Sequence, residues 1–339
     1  MKKCLLVAIL FFLITGCNKS DTSNIVKKFS DQVSSSDSYH LMGKMTIISD
    51  EEEFNYTFDV KYLKDDYYKV TLINTNNNHE QVILRSNGEV YVITPSLNKS
   101  FKFQSSWPNN SSQSYILSSL LKDINNDKNI KTNDNNKKTY ITVNVNYPNN
   151  SELVKENIYF DNKGHIQKVI VYDQEENKRI ITEFTKVDLK AKNGQDEFNI
   201  DKYIESINND NSCASGKCDE EAANIIEDII YPLYLPNNTY LTSSERIGDN
   251  SSRVILTFAG DKNFTIVETA STIASEFEIS PVFGNPIMLN DTVGVISDNS
   301  VSWTRGNIDY YLTSNNLSTS EMSIIASSMN HAVGVMESK

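Results

Sequence analysis

The chain has 339 residues, a formal net charge of −12 at neutral pH, and 39% hydrophobic residues. So acidic a protein is a poor nucleic-acid binder, because the phosphates it would have to neutralise repel it. The length fits two domains of ordinary size.

The first seventeen residues have the pattern of a bacterial lipoprotein signal. A basic start at residues 1–3 precedes an apolar run over 5–14, which is too short for a bilayer span of about 20 residues. Ile14-Thr15-Gly16-Cys17 then matches a lipobox, in which a diacylglyceryl group is attached to the cysteine. The alternative is an ordinary signal peptide with a chance cysteine. We therefore predict a signal peptide over 1–16, lipidation of Cys17 and a polar tether over 17–23.

This signal predicts where the mature protein resides. Loss of residues 1–16, which hold two lysines and no acid, moves the formal charge from −12 to −14. The lipid on Cys17 then carries most of the membrane attachment. We expect a lipid-anchored protein on the outer, extracytoplasmic side of the cytoplasmic membrane.

Residues 24–204 read as a mostly antiparallel sheet with two helices. Helical spacing of apolar residues appears over 24–35 and 112–125, and strand-like alternation dominates elsewhere. Asn87-Gly88 and residues 161–164 have the composition of hairpin turns. Because one face of an alternating sheet is apolar, the two helices are its expected cover.

One strand of this sheet is a candidate ligand hollow. Alternation places a set of apolar side chains on one face: Phe54, Tyr56, Phe58, Val60 and Tyr62. They either pack against the helices as a closed core, or leave part of the surface open to an acyl chain or to a partner's apolar segment. The sequence leaves both readings open.

A polar stretch over 205–220 reads as a linker, and a second α+β domain is expected over 221–339. We predict a helix near 219–230, capped by Asp219 and ended by Pro232. Strands are predicted at 253–258, 263–269, 286–289, 292–297, 301–304 and 308–313. A last helix begins at Ser318, with Glu321 completing a capping box.

The cysteines outside the signal do not indicate catalysis. Cys213 and Cys218 form either a small disulfide loop or two free thiols, since their spacing is not Cys-x-x-Cys. A metal site would need two further ligands, and the four histidines are isolated in the sequence. Nucleophile-elbow, P-loop and dinucleotide-binding patterns are absent. We expect no enzyme activity, no catalytic residue, no metal and no cofactor.

The order of elements resembles known families. The lipobox, the first helix, the 54–62 strand, the segment 87–92 and the helix near 112–125 look like the lipoprotein-carrier (LolA/RseB-like) fold, an incomplete antiparallel barrel with covering helices. The C-terminal part, with Gly284-Asn285-Pro286 and residues 292–294, 301–303 and 308–312 before the last helix, resembles sporulation and germination lipoproteins of spore-forming Gram-positive bacteria.

The resemblance implies an α+β fold and a binding function. It implies a membrane-anchored, non-enzymatic lipoprotein that binds an exported partner protein or a lipid acyl chain in sporulation or germination, where it would support spore-cortex enzymes. The forespore membrane is then a second expected location beside the cytoplasmic membrane. The alternative is an envelope sensor that binds the exported domain of a signalling protein. A homodimer is a further expectation left open.

Overall fold

The computed structural model describes residues 22–49, 52–135, 138–212, 225–248, 251–271, 273–274 and 276–329. About half of these residues form two β-sheets, and four α-helices pack against them. None of the helices in these ranges is long and apolar enough to cross a membrane.

The first sheet has twelve strands and is open. Its strands are β1 Ser38–Ser49, β2 Glu52–Leu63, β3 Tyr67–Asn74, β4 His79–Ser86, β5 Glu89–Thr94, β6 Lys99–Gln104, β7 Lys131–Asn135, β8 Lys138–Asn144, β9 Leu153–Phe160, β10 Ile166–Asp173, β11 Lys178–Asp188 and, from far along the chain, β15 Glu278–Pro281. Their order is β15-β6-β5-β4-β3-β2-β1-β11-β10-β9-β8-β7, so β15 and β7 form its two ends and the sheet is not closed into a barrel. Neighbouring strands are antiparallel, except that β15 runs parallel to β6. The predicted incomplete antiparallel barrel is confirmed.

Two helices cover the concave face of this sheet. They are α1 Thr22–Ser34 and α2 Leu117–Asn126. Phe29 of α1 packs on Phe160 of β9 with ring centroids 5.2 Å apart, and Leu120 of α2 is fully buried in the same core. Apolar residues at helical spacing place one stripe of each helix on the sheet. The predicted cover is therefore confirmed.

A third helix, α3 Ile200–Ser212, lies against the opposite face of the sheet. Phe198, just before it, is buried among side chains of β4 and β5, and the ring of Tyr203 receives the Lys69 ammonium at 4.3 Å. The predicted linker over 205–220 is thus helical up to Ser212, as the continuation of a helix whose first turn, with Ile200 and Tyr203, packs on an apolar patch that the sequence alone does not reveal. Residues 213–224 lie outside the described part of the chain.

The second sheet has seven strands and one helix. Its strands are β12 Thr239–Ile247, β13 Arg253–Gly260, β14 Phe264–Ala270, β16 Asn285–Leu289, β17 Thr292–Ile296, β18 Ser300–Arg305 and β19 Ile308–Thr313, in the order β12-β13-β14-β19-β18-β17-β16. Helix α4 Thr319–Ser327 buries Met322 and Ile325 on it. The predicted capping box is present, since the Ser318 hydroxyl accepts from the Glu321 backbone N–H.

The predicted helix near 219–230 is wrong over its described part. Residues 225–230 are not helical. Their backbone is held by side chains instead: Glu268 accepts from the Ile230 N–H at 3.1 Å, and the Arg246 guanidinium donates to the Ile226 carbonyl. This non-helical path buries Ile226 and Ile230 on the second sheet.

Candidate functional site

Buried hydrogen bonds fix the two sheets against each other. Gln81 of β4 accepts from the Val293 N–H at 2.6 Å and donates to the Val293 carbonyl at 3.0 Å. The Tyr56 hydroxyl donates to the Asn290 carbonyl at 2.6 Å. Asn285, in the Gly-Asn-Pro motif of the sequence, accepts from Ser105. The space between the sheets is therefore a preformed part of the structure.

An apolar cleft of about 730 Å³ lies at this junction. Met45 and Ile47 of β1 and Trp107 form its wall on the first sheet, and Met288 and Val293 form its wall on the second. Helix α4 closes one side with Ser323, Ile324, Ser327 and Ser328. The volume falls within the range of ligand sites, about 300–1,000 Å³, which are typically apolar with a few polar groups.

The mouth of the cleft carries exposed apolar side chains. Leu233 is 80% exposed and Tyr234 is 41% exposed, and both line the opening. Their backbone is anchored to the end of α4, because the Leu233 N–H donates to the Ser328 carbonyl and the Tyr234 N–H donates to the Ser328 hydroxyl. The cleft thus continues outward into an apolar ledge, formed by Leu233 and Tyr234.

The charged side chains that line the cleft are Glu52, Glu152 and Arg179. The Arg179 Nε donates to the Asp173 carboxylate at 2.8 Å. Asp173 therefore pairs with Arg179, and Glu52 and Glu152 are two further carboxylates of the lining.

Polar groups without partners lie behind the wall beside Tyr147, which lines the cleft. Glu156 of β9 is 0% exposed, and neither of its carboxyl oxygens has a hydrogen-bond partner among the described residues. The same holds for Oδ2 of Asp123 on α2 and for the Tyr147 hydroxyl. Burial raises the pKa of Asp123 to about 6, and burial together with the Asp123 charge raises the pKa of Glu156 well above its usual range.

The predicted hollow residues lie beside this cleft but do not line it. Tyr56, Phe58 and Val60 are buried in the core, whereas Phe54 and Tyr62 are half-buried. The Phe58 ring packs against Tyr115 and Phe184, with centroids 6.1 and 5.6 Å away. Gly43 on the neighbouring strand makes room for it, since a Cβ there would lie 2.4 Å from the ring.

The strand of the first sheet that lines the cleft next to these residues is β1. Met45 and Ile47 pair with Tyr56 and Phe54 across the ladder and line the cleft. Their alternation in the sequence could have indicated a strand, but nothing local shows that a second sheet leaves a cavity over them. Cys17, Cys213 and Cys218 lie outside the described residues. Within the ranges that the structure describes, no group of three or more His, Cys, Asp or Glu side chains could hold a metal ion.

The two packed sheets enclose a cleft of the size that ligand sites in proteins have. The family model of YdcC-like sporulation proteins matches residues 1–198. The chain is also 33% identical to the sporulation protein YdcC of Bacillus subtilis over 319 residues, which cover 94% of this chain and 93% of that protein. The chain belongs to the YdcC-like sporulation protein family. The predicted relationship to sporulation proteins is thereby confirmed.

Solved structures give weaker similarities. The Pseudomonas aeruginosa MucA/MucB complex matches at 11% identity over 90% of this chain and 97% of that one, with a TM-score of 0.30. A LolA superfamily protein from Nitrosomonas europaea matches at 11% over 53% of this chain and 98% of its own, with a TM-score of 0.32. The complex of the CwlD amidase with the GerS lipoprotein from Clostridioides difficile matches at 16% over 49% and 95%, with a TM-score of 0.30. Similarities of this strength say nothing about ligand or partner.

Proposed function

We propose that this chain acts in sporulation or germination as a non-enzymatic binding protein, and that the interdomain cleft receives the apolar part of its ligand. That ligand is an exported partner protein or a lipid acyl chain. The family membership supports the sporulation role. The cleft supports the binding role.

The preformed apolar cleft with its exposed ledge is the observation that carries this proposal. Burying a ligand there removes apolar surface on both sides from water, at about 25 cal/mol per Å². Because Gln81 and Tyr56 already hold the two sheets together, little conformational entropy is lost when the ligand enters. An exposed leucine such as Leu233 at the opening is a further favourable contact.

The proposal includes a membrane tether at Cys17. Its support is the lipobox over residues 14–17. In the native host, Cys17→Ala is expected to leave the protein uncleaved or to move it from the membrane fraction to the soluble fraction. Mass spectrometry of the mature protein checks this, and an unmodified N-terminus at another residue would contradict it.

A substitution that fills the cleft tests the binding role. Ser327 lies on the cleft side of α4, so Ser327→Trp places an indole in the cavity without removing a core side chain. The matched control is Ser206→Trp on the exposed surface of α3. The readouts are fluorescence of the neutral apolar probe N-phenyl-1-naphthylamine on the purified protein and counts of heat-resistant spores from the host strain.

The parent and Ser206→Trp are expected to bind the probe and to support sporulation. Ser327→Trp is expected to lose both while its melting temperature stays within about 2 °C of the parent, a shift well below that of a typical destabilising mutation. Equal probe binding and equal spore counts in all three proteins would refute the proposal.

A further inference from the structure

A second cavity lies between the two sheets, apart from the cleft. Its volume is about 360 Å³, which falls within the range of ligand sites. One wall is formed by β5, β6 and β15 of the first sheet, and the other by β14, β18 and β19 of the second. Among the described residues, none lines both cavities. The binding function proposed for the cleft therefore leaves this second cavity without a role.

A row of polar side chains crosses the second cavity. Strand register places three of them side by side on each sheet, and all six line the cavity: Thr94, Lys99 and Glu278 on the first sheet, and Thr269, Asp309 and Thr304 on the second. The Lys99 ammonium joins the two sheets, because it donates to the Asp309 carboxylate at 3.1 Å and to the Ser271 hydroxyl at 2.9 Å. The charges of Lys99 and Asp309 thus offset each other, and the described residues of the lining offer an anionic ligand no unpaired cation.

Four hydroxyl groups of the lining have no hydrogen-bond partner among the described residues. They come from four different strands: Thr94, Thr269, Ser280 and Ser302. Because Thr94 is only 6% exposed and lines the cavity, the cavity is where a partner can reach its hydroxyl. Buried polar groups are normally hydrogen-bonded, and a hydroxyl both donates and accepts. These four groups can therefore pair with the hydroxyls of a ligand.

The next row along the same strands is apolar and aromatic. Val92 pairs in register with Phe101 on the first sheet, and Val267 pairs with Tyr311 on the second. Each stands two residues from a member of the polar row, so it lies on the same face of its sheet. Tyr311 is 43% exposed and Phe101 is half-buried, so both rings are accessible from the cavity that they line. The cavity therefore combines a hydroxyl-rich side with an aromatic side.

We propose that this second cavity binds a neutral saccharide, whose hydroxyl groups pair with the polar row and whose C–H face packs on the rings of Tyr311 and Phe101. A sugar ring has hydroxyls around its edge and an apolar C–H face, which loses water favourably against an aromatic ring. An acyl chain would leave the four free hydroxyls unpaired, and an anion would meet a cation already held by Asp309. The inference goes beyond the proposed function, since both the site and the class of ligand differ from those of the cleft.

Removal of two hydroxyls from the cavity tests the proposal. Thr94→Val/Thr269→Val keeps the side chains similar in shape but removes two of the unpaired groups. The matched control is Thr257→Val/Thr265→Val, a pair that faces the same side of the second sheet and lies outside the cavity. A second test variant, Tyr311→Ala, changes an exposed ring and leaves the polar row intact. The full chain in detergent is titrated with glucose, N-acetylglucosamine and cellobiose, and with gluconate as an anionic counterpart, by saturation-transfer-difference NMR.

The parent and the threonine control are expected to bind at least one of the neutral sugars with equal affinity, and gluconate no more tightly than glucose. Thr94→Val/Thr269→Val should bind that sugar about tenfold more weakly, because two hydrogen bonds to the ligand are lost. Tyr311→Ala should also bind it more weakly, with a melting temperature within about 2 °C of the parent.

Three results would overturn the proposal: no binding of a neutral sugar by the parent, unchanged affinity in both test variants, or tighter binding of gluconate than of every neutral sugar. Ser327→Trp, which fills the cleft, should leave sugar binding unchanged. Failure of the binding function proposed for the cleft is therefore seen separately from failure of this inference.

Discussion

Replacement of Gln81 by leucine is expected to weaken the junction on which the cleft depends. The Gln81 carboxamide is buried and makes three hydrogen bonds across the junction: 2.6 and 3.0 Å to the backbone of Val293, and 3.1 Å to the Thr292 hydroxyl. Leucine fills much of the same volume but restores none of these bonds. The Val293 N–H and carbonyl then lose this partner.

The size of the effect follows from the number of groups affected. A buried backbone group left without a partner costs about 1–3 kcal/mol, and two such groups are created. The Thr292 hydroxyl keeps a second bond, to the Thr304 carbonyl at 2.9 Å, so its loss is small. Because leucine, unlike the buried Gln81 carboxamide, carries no polar group that must be removed from water, the lower part of the range applies. We expect the free energy of unfolding to fall by about 2–4 kcal/mol.

Urea denaturation followed by tryptophan fluorescence measures this loss in each half of the protein. Trp107 is buried in the core of the first sheet and Trp303 in that of the second, so single-tryptophan variants report on the two halves separately. We expect coincident transitions in the parent background and separated ones after Gln81→Leu. Gln167→Leu at an exposed position is the control, with a change below about 0.5 kcal/mol. If Gln81→Leu costs no more than this control, the junction is not held by Gln81.

Three further predictions concern single side chains. Burial raises the pKa of Glu268 to about 7, whereas a glutamate in the unfolded chain titrates near about 4.3. Between these pH values the folded chain holds a proton that the unfolded chain has lost. The contribution of Glu268 to the free energy of unfolding therefore falls as the pH rises from about 4.3 through 7. Between pH 5 and 8, the free energy of unfolding of Glu268→Gln should therefore fall by about 2 kcal/mol less than that of the parent. Equal slopes in the two proteins would contradict this. Ser318→Ala removes the cap of α4 and should cost about 1 kcal/mol in urea denaturation, whereas no loss would mean that the capping box is not stabilising. Phe58→Ala, at a side chain that is 2% exposed, should cost about 3–5 kcal/mol, and a loss of ligand binding at unchanged melting temperature would instead favour the open-hollow hypothesis.

Local patterns predicted the elements whose faces differ in polarity. The strand Glu52–Leu63 alternates because one face meets the core, and the hairpin at Asn87-Gly88 has the left-handed backbone that this dipeptide favours. Strand Thr239–Ile247 was not predicted, since it is a sheet edge with nearly every side chain exposed and therefore has no alternation to detect. The cap and stop signals at Asp219 and Pro232 misled at residues 225–230, where contacts with Glu268 and Arg246 determine the path.

The cleft was beyond the reach of sequence patterns for a physical reason. Its walls join Met45 to Met288 and Trp107 to Ile324, residues that lie some two hundred positions apart in the chain. A cavity is a region that packing leaves unfilled, and periodicity reports only which side of an element is apolar. The candidate hollow residues of β2 lie one strand away from Met45 and Ile47 of β1, which line the cleft.

The parallel strand β15 has a consequence for how the protein reaches its folded state. Glu278–Pro281 covers the edge strand β6, which ends at Gln104, so the edge remains unprotected until synthesis has advanced by more than 170 residues. An uncovered edge strand can pair with another chain, and closing so long a loop is slow. A chain shortened before β15 would therefore be aggregation-prone, and a chaperone that shields β6 during folding would raise the yield of folded protein.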